Sequence, residues 1–540
     1  MLPCLPKTIS FGLKNVLIVC NVKKFALGFV LLLILCSVLA TLPNIVTVEA
    51  SGTIYIRADG TVEGTDKIQR DGNVYTFTDN VNDSIVVEKN NVVVDGAGYI
   101  LQGTGNGIGI DLSERNNTTI RNMEINRFYY GIWLDMSSEN SISGNNITNN
   151  EVGIDLNQSS NNSIYGNDMM NNWRGTSFWH SSNNSIYGNN VTNNDHGIWI
   201  GESSNFNSIS ENNVTNNDHG IWLDYSSNNT LRGNSMTNNG YNFGVWGESL
   251  SDFVNDVDAS NTVDGEPVYY WIEMRDVAVP LDAGYVALIN CINITVQDLN
   301  LIKNRQGVLL AYTTNSTITR NNLASNWHGV WLWYSSNNNI SGDNITNNEL
   351  GIRLINSSRN NVTGNNLATN NDEGIYIWGS SNNTVAGNTM INNWRGISLW
   401  YSSNNSIYKN NITANNFDGI ILWYSADNKF YDNNFIHNTH QVFIPILGYA
   451  NFWNDGYPSG GNYWSDFEDR YPGVEDIYSG PNQNETGSDG IWDHPYVIDE
   501  NNQDNYPVVP EFPTWTSILL IIIVLTVALA IYKRARAGTA

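Results

Sequence analysis

Apolar residues along this chain come in pairs two positions apart, each pair just behind a glycine, and the arrangement returns every 22 to 24 residues. The pairs include Ile132/Leu134, Ile154/Leu156, Ile221/Leu223, Val330/Leu332, Ile352/Leu354 and Ile420/Leu422. Twelve glycines carry the period in two runs, Gly131, Gly153, Gly175, Gly197, Gly220 and Gly244, then Gly307, Gly329, Gly351, Gly374, Gly396 and Gly419. In an extended strand, alternation sends the first and third residues after each glycine to one face and the second and fourth to the other. Each unit holds two further short alternating runs, such as 208–210 and 213–215 after 198–200, separated by Ser/Asn turns and with no segment long enough for a helix. Self-similarity at such a period means stacked coils.

A leucine-rich repeat needs a denser Leu lattice and a helical return segment, and a hexapeptide helix needs a six-residue echo; neither is present. The remaining architecture is all-β, a right-handed parallel β-helix with rungs about 4.8 Å apart. A polar column runs through it, Asn145, Asn167, Asn189, Asn212 and Asn234, resuming as Asn321, Asp343, Asn365, Asn388, Asn410 and Asn433. Stacked amides at a turn satisfy backbone groups that the ladders do not reach.

The segments divide as follows. Residues 1–50 form a leader with Lys7, Lys14, Lys23 and Lys24 before an apolar run at 25–40, a signal-peptide pattern or else an uncleaved anchor. Residues 51–108 form a cap and first coils, 109–250 and 284–444 the repeats, and 251–283 an insertion that leaves the helix for binding or to shield a flank. An acidic, aromatic module fills 445–509. In 510–540, the uncharged stretch 515–532 is long enough to span a bilayer and precedes Lys533, Arg534 and Arg536, which places the solenoid on the extracellular face of the cell membrane.

With 540 residues, a net charge of -26 and only 26 Lys+Arg, the chain has no basic surface for nucleic acid. Cys4, Cys20 and Cys36 lie in the leader and leave Cys291 alone, so no disulfide framework holds the coils. About twenty Asn-X-Ser/Thr sequons, Asn117 and Asn146 among them, fall on turns and mark a candidate glycoprotein.

The stretches 461–467, 489–499 and 504–507, with Gly461, Trp464, Asp489, His494 and Pro507, resemble the terminal module of archaeal surface proteins with NosD-like β-helix repeats. The coils and 267–283 resemble that family too, so the likeness spans 51–509. It implies a scaffold that serves polysaccharide lyases, glycosidases, epimerases and inert display proteins, or a NosD-like partner in copper-site assembly with a membrane transporter. Pro510, Glu511 and Phe512 resemble the start of an archaeal sorting signal that exchanges the tail for a lipid; a plain membrane anchor is the alternative.

Chemistry concentrates on the outward columns. Trp133, Trp199, Trp222, Trp246 and Trp331 follow their glycines by two, and Trp333, Trp378, Trp400 and Trp423 by four, beside Tyr334, Tyr401 and Tyr424. A row of indoles matches the apolar faces of sugar rings, which points to a glycan-binding strip, or to a surface covered by a loop or second copy. Asp111, Asp135 and Asp155 are the candidate catalytic carboxylates for a polysaccharide lyase or hydrolase. His196 and His219 stack as a candidate metal pair, though two nitrogens fall short of a closed copper or zinc site. Asp489 and Asp493 are candidate Ca2+ ligands in the terminal module. The expected protein is a cell-surface β-helix that binds glycans or envelope components, with catalysis and copper-site assembly as alternatives.

Overall fold

The computed structural model describes residues 52–446 and 448–510. The leader, 1–50, and the stretch read as membrane-spanning, 515–532, lie outside the described residues; among the described residues no helix is long and apolar enough to cross a membrane. The described residues form one compact unit, an all-β parallel solenoid of about 17 turns.

Each coil has one long strand and two short ones, for example Tyr130–Asp135, Ser141–Ser143 and Asn146–Thr148. Successive coils pair in parallel and in register, Ile132 with Ile154 and Leu134 with Leu156. Ile132, Ile154, Ile198, Ile221, Val330 and Ile352 are all buried, as alternation predicts. The glycines sit where the chain rounds a corner: a Cβ on Gly131 would lie 2.6 Å from the carbonyl of Gly153 on the next rung. Only the residue without a side chain fits there.

One glycine is out of register. Asn242 stands where the corner glycine belongs, because His219 pairs with Tyr241 and Ile221 with Phe243. Gly244 therefore lies opposite Trp222, and Trp246 falls in the column of Asp224, four places after the corner rather than two.

The corners hold three amide columns where the sequence reading found one. Asn140, Asn162 and Asn184 form the first, Asn145, Asn167 and Asn189 the second, Asn150, Asn172 and Asn194 the third. Each Oδ1 accepts the backbone N–H and Nδ2 of the preceding rung's Asn, as Asn167 does from Asn145 at 3.0 Å and 3.0 Å. The residue before each ladder Asn takes positive φ, 56° at Asn149 and 56° at Asn171. Asn tolerates that left-handed turn, which explains the recurrent Asn-Asn pairs. Ser137, Ser159 and Ser181 add a hydroxyl column.

The stretch 251–283, read as an insertion, stays inside the stack and joins two solenoids. Asp256–Val257 and Thr262–Val263 complete the last coil of the first stack. A turn at Asp264 and Gly265, φ 49° and 92°, then reverses the chain into Glu266–Ile272, the first long strand of the second stack. Positive φ at both turn residues suits a tight hairpin. The second stack is not a simple continuation of the first. Tyr285, Ala287 and Ile289 of Tyr285–Ile289 pack into the first core, whereas Val286 and Leu288 face the second. Gln306–Ala311 divides likewise, Leu309 and Ala311 from Val308 and Leu310. The outer face of the second stack's opening strands thus plugs the end of the first, and the two long sheets meet at an internal corner.

The terminal module closes the second stack. Asn433 donates to Oδ1 of Asn462, and Asn462 to Oδ2 of Asp504, which also accepts from Trp464 Nε1 at 3.0 Å. A neighbouring column ends on Asn502, and the third on Gln441. Phe435, Trp464 and Tyr496 stack in sequence over the last rung, 4.3 Å and 4.1 Å between centroids.

Candidate functional site

The outer face of the first long sheet carries two interleaved columns. One runs Tyr130, Val152, Arg174, His196, His219 and Tyr241, the other Trp133, Asp155, Ser177, Trp199 and Trp222. Between them lies a cavity of about 380 Å³ walled by Tyr129, Tyr130, Trp133, Trp173 and Trp179, with Asp155 and Arg174 among its lining. Trp173 is 40% exposed at its rim.

Asp155 is 3% exposed and accepts a hydrogen bond from Ser177 Oγ. Burial pushes its carboxyl up to about 7, against the pull of Arg174. The guanidinium of Arg174 lies over two indoles, 4.3 Å from the Trp173 centroid and 4.4 Å from that of Trp199. The other two candidate carboxylates do other work. Asp111 Oδ1 accepts from the N–H and Oγ of Ser113, fixing a turn, and Asp135 accepts from Asn157 Nδ2 at 2.7 Å. Asp111 and Asp155 flank Trp133 on alternate rungs, on the order of 10 Å apart by rung spacing. Of these three carboxylates, Asp155 is the buried one.

The tryptophans divide into two sets. Trp199 and Trp331 are 4% and 0% exposed, so neither belongs to an open strip. Trp331 lies under Trp246, stacked at 4.6 Å, with Phe253 against its edge at 6.0 Å, and Trp333 Nε1 donates to the carbonyl of Glu248. Residues at the end of the first stack thus cover Trp331 and Trp333, whereas Arg174 and Trp179 lie against Trp199. Further along, Trp378, Trp400 and Trp423 hold one register on three consecutive rungs. Trp378 is 37% exposed, and Trp400 stacks on Trp423 at 4.9 Å beside Tyr401 on Tyr424 at 5.1 Å. Trp133 and Trp222 are half-buried on the first stack.

His196 and His219 do stack on consecutive rungs, 4.6 Å between centroids and 12° between planes. A metal must lie in the plane of each imidazole along its lone pair, and parallel stacked rings send those lone pairs side by side rather than toward a shared point. Burial first, then the guanidiniums of Arg174 and Arg305, depresses His196 to about 4; burial and Arg305 take His219 to about 3. Both rings are neutral at pH 7, yet cationic neighbours oppose a metal ion between them. Asp489 and Asp493 also act apart. Asp489 accepts from Gln483 Nε2 and the N–H of Ile491, Asp493 from the N–H groups of Ile477 and Tyr478. Among the described residues, no three His, Cys, Asp or Glu side chains group to hold a metal.

Three arginines escaped the sequence reading: Arg174, Arg305 and Arg353. Arg174 and Arg353 occupy the same outward columns as the aromatic residues, which was the available signal. Arg305 lies 3.6 Å from the Trp222 centroid and 4.3 Å from that of Trp327, at the corner between stacks.

The long alternating column Glu373, Arg395, Asp418 and His440 is an ionic ladder along the second sheet, Arg395 bridging Glu373 at 3.3 Å and Asp418 at 3.2 Å.

Solved structures similar to this chain include the periplasmic alginate epimerase AlgG, 13% identical over 74% of this chain and 84% of that one, with a TM-score of 0.24. The Azotobacter vinelandii mannuronan C-5 epimerase AlgE6 A-module is 12% identical over 69% and 90%, TM-score 0.23. The alginate lyase AlyF-OU02 in complex with G6 is 10% identical over 65% and 79%, TM-score 0.22. At these scores the likeness carries no argument about activity. Among curated proteins no relative matches. The family model described as periplasmic copper-binding protein (NosD) matches residues 41–177, 84–256 and 259–469, which together span most of the chain. The chain belongs to the NosD family.

Proposed function

We propose that this protein is a polysaccharide-binding β-solenoid whose ligand lies along the outer face of the long sheets and enters the cavity around Trp173. The observation that carries this reading is the cavity itself, lined by Trp133, Trp173, Trp179 and Tyr130 together with Asp155 and Arg174. Indole faces pack on the C–H faces of sugar rings while the polar side chains read their hydroxyls. The half-open register of Trp378, Trp400 and Trp423 extends the same chemistry to the second stack. Display on the outside of a cell, held by the C-terminal stretch, is part of the proposal and suits a binder of envelope or environmental polymer.

Copper capture, which the family's description suggests, finds no support at the stacked histidines: their lone pairs do not converge and arginines flank them. Catalysis has one favourable feature, the Asp155 carboxyl poised near neutrality, without a second carboxylate beside it.

Tryptophan fluorescence and calorimetry with a panel of polysaccharides test the proposal. Binding to at least one polymer, weakened tenfold or more by Trp173→Ala, is the expected result; no binding across the panel sinks it. Release of reducing or unsaturated ends that Asp155→Asn abolishes would move the protein to the enzymes.

A further inference from the structure

The polysaccharide reading does not explain why three guanidiniums sit on this face without an acid to hold them. In a chain with 52 Asp+Glu and 26 Lys+Arg, carboxylates are plentiful. Arg57, Arg121, Arg232, Arg320 and Arg395 each bridge one. Among the described residues, no ion pair is made by Arg174, Arg305 or Arg353, although burial of an uncompensated charge is costly. Each is instead laid against tryptophan. Arg174 has Trp173 and Trp199, Arg305 has Trp222 and Trp327, and Arg353 lies 5.1 Å from Trp246 and 5.7 Å from Trp331.

Their polar partners are neutral. Arg305 Nη1 approaches His219 Nδ1 at 3.5 Å, and Arg353 Nη1 donates to His328 Nε2 at 3.1 Å. Burial holds His328 well below its ordinary pKa, so the ring adds no charge. Among the described residues, Nε of Arg174 and of Arg353 is buried without a hydrogen-bond partner. The acids that act on them from a distance are Asp155 and Asp195 for Arg174, Asp224 for Arg305 and Glu373 for Arg353, none of them within ion-pair reach. An indole under a guanidinium holds its flat face and leaves the in-plane N–H groups for an oxyanion, which the fork of donors grips in bidentate fashion.

The three arginines are strung along one path. Arg174 lines the Trp173 cavity, Arg305 sits at the corner, and Arg353 lines a second cavity of about 240 Å³. That second cavity is built by both stacks, Trp246 and Glu248 from the first, Trp333, Tyr376 and Trp378 from the second. A neutral glycan would leave the guanidiniums of Arg174 and Arg353 unmatched at both cavities.

We infer that the polymer bound on this face is an acidic polysaccharide, whose carboxylate or sulfate groups complete Arg174 and Arg353 at the two cavities, with Arg305, 4% exposed between them, adding positive charge from beneath the surface. The inference rests on the polysaccharide reading and narrows it to a charge class.

Titration of the purified full chain with polygalacturonate, dextran sulfate and unmodified dextran tests it. One acidic polymer should bind at least tenfold tighter than dextran, with affinity falling as salt rises; which one binds separates carboxylate from sulfate. Arg353→Gln and Arg174→Gln should each lower that affinity about tenfold with the melting curve unchanged, and Arg353→Lys should restore little of it, because a point charge lacks the fork. If either variant fails to fold, the salt dependence and polymer preference of the native chain still decide. Binding of dextran as tight as that of the acidic polymers overturns the inference and leaves polysaccharide binding standing. Absence of binding to all three and to the wider panel removes both.

Discussion

The side-chain amide of Gln306 pairs with both backbone polar groups of Val245, Nε2 donating to the carbonyl at 3.0 Å and Oε1 accepting from the N–H at 3.4 Å. Tyr285 Oη donates to the same Oε1 at 3.0 Å. Val245 lies on the last long strand of the first stack, where no further rung continues the ladder. One glutamine of the second stack substitutes for the missing strand. Gln306→Leu keeps the volume and strands three buried polar groups, so it should destabilise the protein by about 2 to 4 kcal/mol. Chemical denaturation measures this, and hydrogen exchange should localise the loss to 241–246.

Asp343 occupies an asparagine place in its column. Its Oδ1 accepts from the N–H and Nδ2 of Asn321, as an amide would, but Oδ2 is buried without a partner. Burial raises the carboxyl to about 6, above the value of 3.8 for a free side chain. Between those values the folded state holds more protons than the unfolded, so stability falls as pH rises through the window and the full cost is present above it. Asp343→Asn removes the titration and restores a donor toward the next rung. Melting temperatures should rise at pH 8, by the equivalent of about 1 to 3 kcal/mol, with the gain shrinking toward pH 4.

Adjacent asparagines should behave differently. Asn189 is buried in the column, accepting from Asn167 and donating to Asn212 and the carbonyl of Ile164. Asn190, next to it, makes side-chain bonds only to exposed neighbours, Asp168 and Asn213. Asn189→Ala should cost about 2 to 4 kcal/mol and Asn190→Ala less than about 0.5 kcal/mol. Equal losses in urea titrations would show that the columns do not hold the coils.

Two tryptophans separate packing from binding. Trp331 is fully buried in the plug between stacks, so Trp331→Ala should cost about 3 to 5 kcal/mol of stability. Trp400, on the half-open register, should leave the fold intact when truncated and weaken polysaccharide binding by about 1 to 3 kcal/mol. Unfolding of Trp400→Ala would make that row structural.

How much of this was legible follows from distance along the chain. Ile132 over Ile154, or Asn145 over Asn167, needs only a comparison of residues 22 apart, and a solenoid is made of such comparisons. The columns of Asn140 and Asn150 were written in the same repeats and went unread because Asn is so frequent there. The junction was hidden for a different reason. Val245 meets Gln306, and Trp246 meets Trp331, across separations that match no period. Gly244 continued the glycine rhythm while the corner had passed to Asn242. Burial of Trp331 and Trp199 depends on that junction and on Arg174, so alternation alone marked them as outward and could not say what covered them. The arginines were visible in the outward columns, but their lack of acid partners is a property of three dimensions.

The amide columns have a direction. Within each stack the corner asparagines donate forward to the next coil, as Asn140 does to Asn162 and Asn410 to Asn433. A column built this way always has donors left over at its last coil, so it cannot end on one more copy of the repeat. The final acceptors, Asn502, Asp504 and Gln441, come from outside the repeat pattern and meet those last donors.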